Sequence, residues 1–325
     1  MMMSSKIKHM AAVLCTIMAT TILYGCGTKF IEGDTPLQVE SESAKFVNNF
    51  KLLSWNIQDG MWCDQFNDYA NFVAYINEID PDIFCIQEAA THWDIDGKSL
   101  SHYSRFLPYP DQKTVESKWD NPSGWVQLAE RWGHKYVVMG PYLDNYPVVI
   151  TSKYPLEIIE RLRGDENTPV SHGALHAKVH FTDDISVHLV NLHLKPDANA
   201  GAFRLNEINY YLSKTINSKE YYQDKNWLMM GDFNSNVSVN VDLEVRKNSY
   251  YDLWHEMNNY NKSYIDFIYG TEAMRKALKS IDFLYGFAHM EKVMYSVNGV
   301  LLNNGAGVWK YSDHYPVLAE FSLYE

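Results

Sequence analysis

Trp227-Leu228-Met229-Met230-Gly231-Asp232-Phe233-Asn234-Ser235-Asn236 runs four apolar residues into a glycine, then sets a carboxylate and a carboxamide two positions apart. A short apolar run of this kind reads as a strand buried on both faces, and a period of two would place Asp232 and Asn234 on one side of its continuation. Gly, Asp, Asn and Ser are also ordinary turn residues, so the decapeptide taken alone favours a strand that simply ends in an Asx turn. The decision rests on whether other strands of the chain end in matching polar groups.

They do. Phe50-Lys51-Leu52-Leu53-Ser54-Trp55-Asn56 reads as a strand with Asn56 as its exit residue. Phe66, Tyr69, Ala70, Val73, Ile76 and Ile79 keep helical spacing as far as Pro81, and Ile83-Phe84-Cys85-Ile86 follows as an apolar strand ending at Gln87 and Glu88. Val187 to Leu192 delivers His193 to a strand end, a position suited to proton transfer because an unperturbed imidazole titrates at about 6.5. Leu205, Ile208, Leu212 and Ile216 mark an amphipathic helix over 204–216 that leads back to Trp227. The chain closes with Ser312-Asp313-His314 immediately before the strand at Val317 to Phe321. Apolar strands alternating with helices imply a sheet covered by helices.

Further strands are expected at 135–139, 148–152 and 174–179, a short helix at 124–132 and another at 251–255. Tyr264-Ile265-Asp266-Phe267-Ile268-Tyr269-Gly270 and Ser280-Ile281-Asp282-Phe283-Leu284-Tyr285-Gly286 are near copies, too few to make a repeat architecture. Residues 91–122 read as a long loop rich in His, Tyr, Trp and Pro. His176, His180 and His188 lack the Cys or Glu partners of a zinc site and read as structural, whereas His172 opens its strand and stays a site candidate.

The chain has 325 residues, of which 46% are hydrophobic, enough for one large domain or two ordinary ones. Lys6, Lys8 and His9 precede an apolar run from Met10 to Tyr24, as in an export signal, and Leu23-Tyr24-Gly25-Cys26 resembles the lipobox of bacterial lipoproteins. The resulting division is a signal peptide over 1–25, a Gly, Ser, Pro and acid-rich tether over 26–45 and a catalytic domain over 46–325, with Cys26 as the lipidated residue. Gly27 after that cysteine favours the outer membrane, facing the periplasm or the exterior. Losing residues 1–25 removes two lysines and no acid, leaving 26 basic against 40 acidic residues and a charge of −14. Such a surface does not attract long polyanions through its overall field, although a local cation site can still bind one phosphate. Cys63 and Cys85 have no metal spacing; one disulfide is open to them, and a buried free thiol at Cys85 is the preferred reading.

Asn56, Glu88, His193, Asp232, Asn234, Asp313 and His314 therefore all fall at ends of apolar strands. Carboxylates, amides and histidines brought together this way suit metal-assisted phosphoester hydrolysis. A hard divalent cation, Mg²⁺ with Mn²⁺ as its substitute, takes carboxylate oxygens and neutralises a phosphoryl oxygen, while histidines move protons and no covalent nucleophile is needed.

Five segments in order, Leu53-Ser54-Trp55-Asn56, Ile86-Gln87-Glu88, Val190-Asn191-Leu192-His193, Gly231-Asp232-Phe233-Asn234 and Ser312-Asp313-His314-Tyr315-Pro316-Val317, resemble the motifs of the endonuclease/exonuclease/phosphatase family. The resemblance implies an α/β, four-layer sandwich of two packed mixed β-sheets flanked by helices, with the active site at the sandwich edge. It also implies that Glu88 is the principal metal ligand with Asn56 and Asp313 beside it, and that His193 is a general acid. By the same resemblance Asp232 and Asn234 orient water and phosphate, and His314 contacts the phosphate or acts as base, paired with an aspartate. That aspartate comes from the family's Arg-Ile-Asp-Tyr motif, whose arginine neither heptapeptide copy keeps; the 31-residue step from Asp282 to Asp313 favours Asp282 over Asp266. His172 stands where the family often has an arginine, and Tyr146-Pro147 where it often has a glycine.

The expected activity is that of a phosphodiesterase acting on nucleic acid or a phospholipid headgroup by in-line attack of activated water. A phosphomonoesterase acting on inositol phosphates and a non-catalytic binding lipoprotein are the alternatives. The expected partners are the phosphoester substrate and a membrane reached through the lipid anchor, with no sign of an obligate protein partner.

Overall fold

The computed structural model describes residues 46–61, 64, 69–90, 123–144, 146–221, 223–236, 239–258, 264–285, 292–293, 296–297, 300–301, 308–309 and 312–324. The segments expected as signal peptide and tether, with Cys26, together with Cys63, Phe66 and the loop expected over 91–122, lie outside the described residues. No helix of the described residues is long and apolar enough to cross a membrane.

Alternation along the first two strands sorts the apolar residues into two cores. In β1 (Phe46–Asn56), Phe50 and Leu52 enter a core shared with the second sheet, whereas Leu53 and Trp55 enter an outer one. β2 (Ile83–Gln87) runs parallel to β1 from Leu52↔Ile83 to Asn56↔Gln87 and divides the same way, Ile83 and Cys85 against Phe84 and Ile86. Cys85 is a buried free thiol. The outer core is closed by α1 (Ala70–Ile79), through Phe72, Val73 and Ile76, and by α2 (Ser123–Glu130), through Trp125 and Leu128. α1 stops because Asp80 takes a left-handed C-cap conformation, its N–H donating to Ile76 O, and Pro81 cannot continue the helix.

The remaining elements are β3 (Tyr136–Met139), β4 (Val149–Ser152), β5 (Leu156–Leu162), β6 (Ala174–His180), β7 (Ser186–His193), α3 (Gly201–Lys214), β8 (Trp227–Asp232), α4 (Asn240–Lys247), β9 (Tyr251–Asp252), α5 (Leu253–Asn258), β10 (Asp266–Gly270), α6 (Glu272–Ala277) and β11 (Leu278–Phe283). Four two-residue strands, β12 (Lys292–Val293), β13 (Ser296–Val297), β14 (Val300–Leu301) and β15 (Val308–Trp309), precede β16 (Val317–Tyr324) and pair as β12 with β15 and β13 with β14.

Two mixed six-stranded sheets result, ordered β11-β16-β1-β2-β4-β3 and β5-β6-β7-β8-β10-β9, packed together with helices outside. This is the expected α/β sandwich. Each sheet has one parallel pair, β1 with β2 and β7 with β8. Asn191 pins the sheets together: its Oδ1 accepts from Gln87 Nε2 at 2.7 Å, and its Nδ2 donates to the carbonyls of Ile86 and Val149, each at 3.0 Å. An amide buried this completely stabilises one arrangement of the sheets, because any slip would strand its polar atoms.

Local sequence misled at two places. The helix expected at 251–255 opens as β9, since Tyr251 and Asp252 pair with Gly270 and Tyr269, and helix begins only at Leu253. The two heptapeptide copies also part company: the first forms β10 beside β8, the second forms β11 at the edge of the other sheet. The structural histidines behave as expected. His176 Nε2 lies 2.8 Å from His188 Nδ1, His188 Nε2 lies 2.9 Å from Asp224, and the His188 ring stacks on Trp227 at 4.0 Å. Burial holds these two imidazoles at about 3 and about 4, neutral at ordinary pH.

Candidate active site

The four parallel strands end at one edge of the sandwich, and the antiparallel strands beside them, β10 and β16, begin there. Asp266 at the start of β10 pairs directly with Asp232 at the end of β8, and Val317 at the start of β16 pairs with Ser54 near the end of β1.

Asn56 is the hub. Its Nδ2 donates to Glu88 Oε1 at 3.1 Å and to Asp232 Oδ2 at 3.0 Å, linking a carboxylate of one sheet to a carboxylate of the other. Its Oδ1 accepts from Gln58 N at 3.0 Å, which leaves the amide no freedom to flip. Glu88 Oε2 accepts from Asp59 N at 2.9 Å, and Gln58, Asp59 and Glu88 all sit at positive φ. Each such residue costs about 1–3 kcal/mol of backbone strain. That cost falls where it aims a carboxylate at the strand ends. Sequence periodicity carries no signal for it.

Gly231 explains how Asp232 reaches His193. Its φ is +138°, and a Cβ there would meet Leu192 O at 1.9 Å, so only glycine lets the end of β8 press against β7. The register then places His193 beside Asp232, with Nε2 3.5 Å from Oδ2. The expected Asx turn is also present: Asn234 N donates to Asp232 Oδ1 at 2.8 Å, while Asn234 Nδ2 donates to Leu194 O at 2.9 Å.

His314 is fixed on three sides. Its backbone N–H donates to Ser312 Oγ, its carbonyl accepts from Trp55 Nε1, and Ser312 Oγ donates to Asn56 O at 2.6 Å. Its Nδ1 donates to Asp266 at 2.9 Å, and its Nε2 faces Asp232 at 3.6 Å and Asp313 at 3.9 Å. Asp282, favoured from the spacing, is not the partner of His314. It is exposed on β11, and its carboxylate accepts from the neighbouring Phe283 N–H. Loop length does not separate two near-identical heptapeptides; the sheet each joins does, and only β10 lies next to β8.

The opposite flank is formed by residues that motif spacing does not couple. His172 stacks on His193 with ring centroids 4.2 Å apart and an interplanar angle of 16°, and His172 Nδ1 donates to Asp144 Oδ2 at 2.5 Å. Glu207 of α3 accepts from the backbone N–H groups of Ser171 and Lys195, tying the His172 loop to the segment after His193. Asp144 and Glu207 were missed in the sequence because neither stands at a strand end.

The charges fall into three zones. Burial first, then Asp59 and Asp313, raises the Glu88 carboxyl, so this is an anionic corner that favours a cation. Burial opposes charge on His314, but Asp266, Asp232 and Asp313 outweigh it and hold this imidazole well above its ordinary value. Burial also raises Asp232. His193 goes the other way: burial, then His172 and His314, pushes it well below the ordinary range, so it is neutral. Asp232, Asp266 and His314 each offer a ligand atom within 4.8 Å of the others and could hold a metal ion. Their atoms already satisfy one another, however, whereas Glu88 accepts only from the neutral N–H groups of Asn56 and Asp59, and Asp313 has His314 as a distant partner at 3.9 Å. The carboxylates of Glu88 and Asp313 fit a divalent cation, but Asn56, expected beside it as a ligand, turns its NH2 rather than its oxygen to Glu88 and so orients that carboxylate instead.

Carboxylates, a carboxylate-held imidazolium and an amide hub at the edge of a two-sheet sandwich define a hydrolase acting on phosphoesters. The chain belongs to the Endonuclease/Exonuclease/phosphatase family, which it matches over residues 53–314. Members of this family generally use divalent metals. No curated protein matches it significantly by sequence. Solved structures with the same fold include an AP endonuclease from Archaeoglobus fulgidus at 13% identity and TM-score 0.54, covering 84% of this chain and 99% of that one. TDP2 from Caenorhabditis elegans is similar at 13% identity and TM-score 0.53, covering 88% and 78%. An endonuclease/exonuclease/phosphatase family protein from Bacteroides thetaiotaomicron is similar at 15% identity and TM-score 0.52, covering 85% and 98%.

Proposed function

We propose that this chain is a divalent-metal-dependent phosphodiesterase that cleaves nucleic acid or a phospholipid headgroup by in-line attack of water. The observation that carries the reading is the Asn56 amide, which joins the Glu88 corner to Asp232 and so couples a cation site to proton-transfer groups. Glu88 and Asp313 would hold the metal, Mg²⁺ or Mn²⁺, with Asn56 orienting the Glu88 carboxylate. When bound, it would supply positive charge to a phosphoryl oxygen and the leaving alkoxide.

The chain's own groups do the rest. Asp232, whose raised carboxyl suits a base near neutral pH, takes a proton from the attacking water. Asn234 keeps the Asp232 carboxylate in place through its backbone N–H and has one amide hydrogen left for the phosphate. Charged His314 donates from Nε2 to a phosphoryl oxygen, and Asp266 preserves that charge. His193, neutral and enclosed, serves as a hydrogen-bond donor to the phosphate rather than as the general acid inferred from its motif position.

A panel assay in Mg²⁺ with duplex DNA, single-stranded DNA, sphingomyelin and inositol phosphates tests this. Turnover of a diester is expected; release of phosphate from inositol phosphates alone would establish the monoesterase instead, and inactivity on every member would remove the enzymatic reading. Export as an outer-membrane lipoprotein belongs to the same proposal and rests on Leu23-Tyr24-Gly25-Cys26. In a bacterial host, metabolic labelling with a fatty acid should mark the full chain and not Cys26→Ala. Equal labelling of both would end the assignment.

A further inference from the structure

Two enclosed nitrogens at the edge of this site have no partner among the described residues: His172 Nε2 and His193 Nδ1. They belong to the stacked rings, and His172 is only 6% exposed. Buried polar atoms are nearly always satisfied, so an orphan in a candidate active site points to a group that arrives with the substrate. The two imidazoles are not equivalent. His193 has no carboxylate at Nδ1, whereas Asp144 accepts from His172 Nδ1 and is itself oriented by the Tyr146 N–H, which donates to Asp144 Oδ1 at 2.9 Å. With Nδ1 taken by Asp144, Nε2 is the ring nitrogen left to exchange a proton with a substrate.

Position adds direction. His172 precedes β6, His193 ends β7, Asp232 ends β8 and Asp266 begins β10, and these are four consecutive strands of one sheet. Two carboxylate–imidazole pairs, Asp144 with His172 and Asp266 with His314, therefore stand at opposite ends of a row with Asp232 between them. In-line displacement puts the entering and leaving oxygens on opposite sides of phosphorus, and in this row Asp232 and His172 stand on either side of His193.

Resting on the phosphodiesterase reading above, we propose that His172, anchored by Asp144 and stacked on His193, is the proton donor to the leaving-group oxygen. The water oxygen bonds to phosphorus and gives its proton to Asp232. The bond from phosphorus to the leaving oxygen breaks, its electron pair stays on that oxygen, and the oxygen takes the proton from His172 Nε2. Asp232 and His172 then return to their starting states by exchange with solvent. Asp144 is a positioning residue.

The test compares two diesters that differ only in leaving group, the 4-nitrophenyl and methyl esters of thymidine 5′-phosphate, with wild type, His172→Ala and Asp144→Asn in Mg²⁺. An aryl oxide leaves without a proton and a methoxide does not. The kcat loss in His172→Ala should thus be at least about tenfold greater on the methyl ester, within the roughly 10²–10⁴-fold range of general acid catalysis. Asp144→Asn, which keeps the side-chain shape, should show the same split more weakly and carries the test if His172→Ala does not fold. Equal losses on both esters, or a change confined to KM, would overturn the assignment while leaving the phosphodiesterase intact. So would a wild type that cleaves the aryl ester and never the methyl one. A wild type that cleaves neither removes the reading of the site as a whole, and this donor with it.

Discussion

Asp266→Asn should lower kcat about a hundredfold or more, the scale of a lost proton-transfer or charge-stabilising group, whereas Asp282→Asn should change it by no more than about twofold, as for an ordinary surface substitution. Both aspartates occupy the third position of the same heptapeptide, so only tertiary placement separates them. Asp266 is 2.9 Å from His314 Nδ1 and directly opposite Asp232 across the β8/β10 ladder. Its charge is one of the two main influences that overcome the burial of His314. An asparagine can still accept the Nδ1 hydrogen bond, so the fold should survive, but the imidazole loses its counter-charge. His314 would then release its proton at lower pH, and the alkaline limb of kcat/KM should move to lower pH with it. The same change removes a repulsion that raises Asp232, which moves the acid limb downward too. The whole profile therefore shifts to lower pH as its height falls. Steady-state rates from pH 5 to 9 would show this, and an unshifted profile in Asp266→Asn would mean that the ion pair does not operate in the reaction.

How much of this could be read in the sequence depends on the range over which each feature is determined. The strands were legible because their apolar runs are local, and the ends they deliver, Asn56, Glu88, His193, Asp232 and His314, meet at one edge as continuous strands require. The same alternation that revealed β1 also divides its side chains between two cores, whereas the pairing of two sheets into a sandwich came from the family resemblance and not from the pattern. What stayed hidden has no local period. Asp144 meets His172, 28 residues away, through a loop; Gln87 meets Asn191 across 104 residues, the two sheets coming together only in the fold. Asp266 and Asp282 differ by which sheet captures them, a tertiary outcome that overrides identical local propensity. His193 was legible as a site residue but not in its protonation, because burial and two neighbouring imidazoles set that.

Glu88→Gln should abolish both turnover and the stabilisation that Mg²⁺ gives the protein. Glu88 is half-buried beside Asp59 and Asp313, and its folded carboxyl is raised by burial and by both neighbours. The sign follows from linkage. A raised acid is at its most favourable below its unfolded pKa, and stability is lost as pH climbs through the folded value, so wherever Glu88 is ionised its charge burdens the metal-free protein. Gln relieves that repulsion. It also loses one hydrogen bond, because Asn56 is held by Gln58 and cannot turn to present an oxygen to the new amide. A neutral hydrogen bond is worth about 0.5–1.5 kcal/mol, comparable with the repulsion relieved, so in chelator the two proteins should melt within about 3 °C of each other. Magnesium then separates them. At about a hundredfold its dissociation constant a ligand stabilises the native state by about 2.7 kcal/mol, or about 5–10 °C at about 2–4 °C per kcal/mol for a domain of this size class. Wild type should show that rise and Glu88→Gln none. The experiment also separates the two places a cation could sit, since Asp232, Asp266 and His314 also offer three ligand atoms within 4.8 Å. If the magnesium shift persists in Glu88→Gln and disappears in Asp266→Asn, the ion belongs to that second group. Should it persist in neither, Asp266 matters through the metal as well as through His314, and the two charge zones that Asn56 bridges act as one.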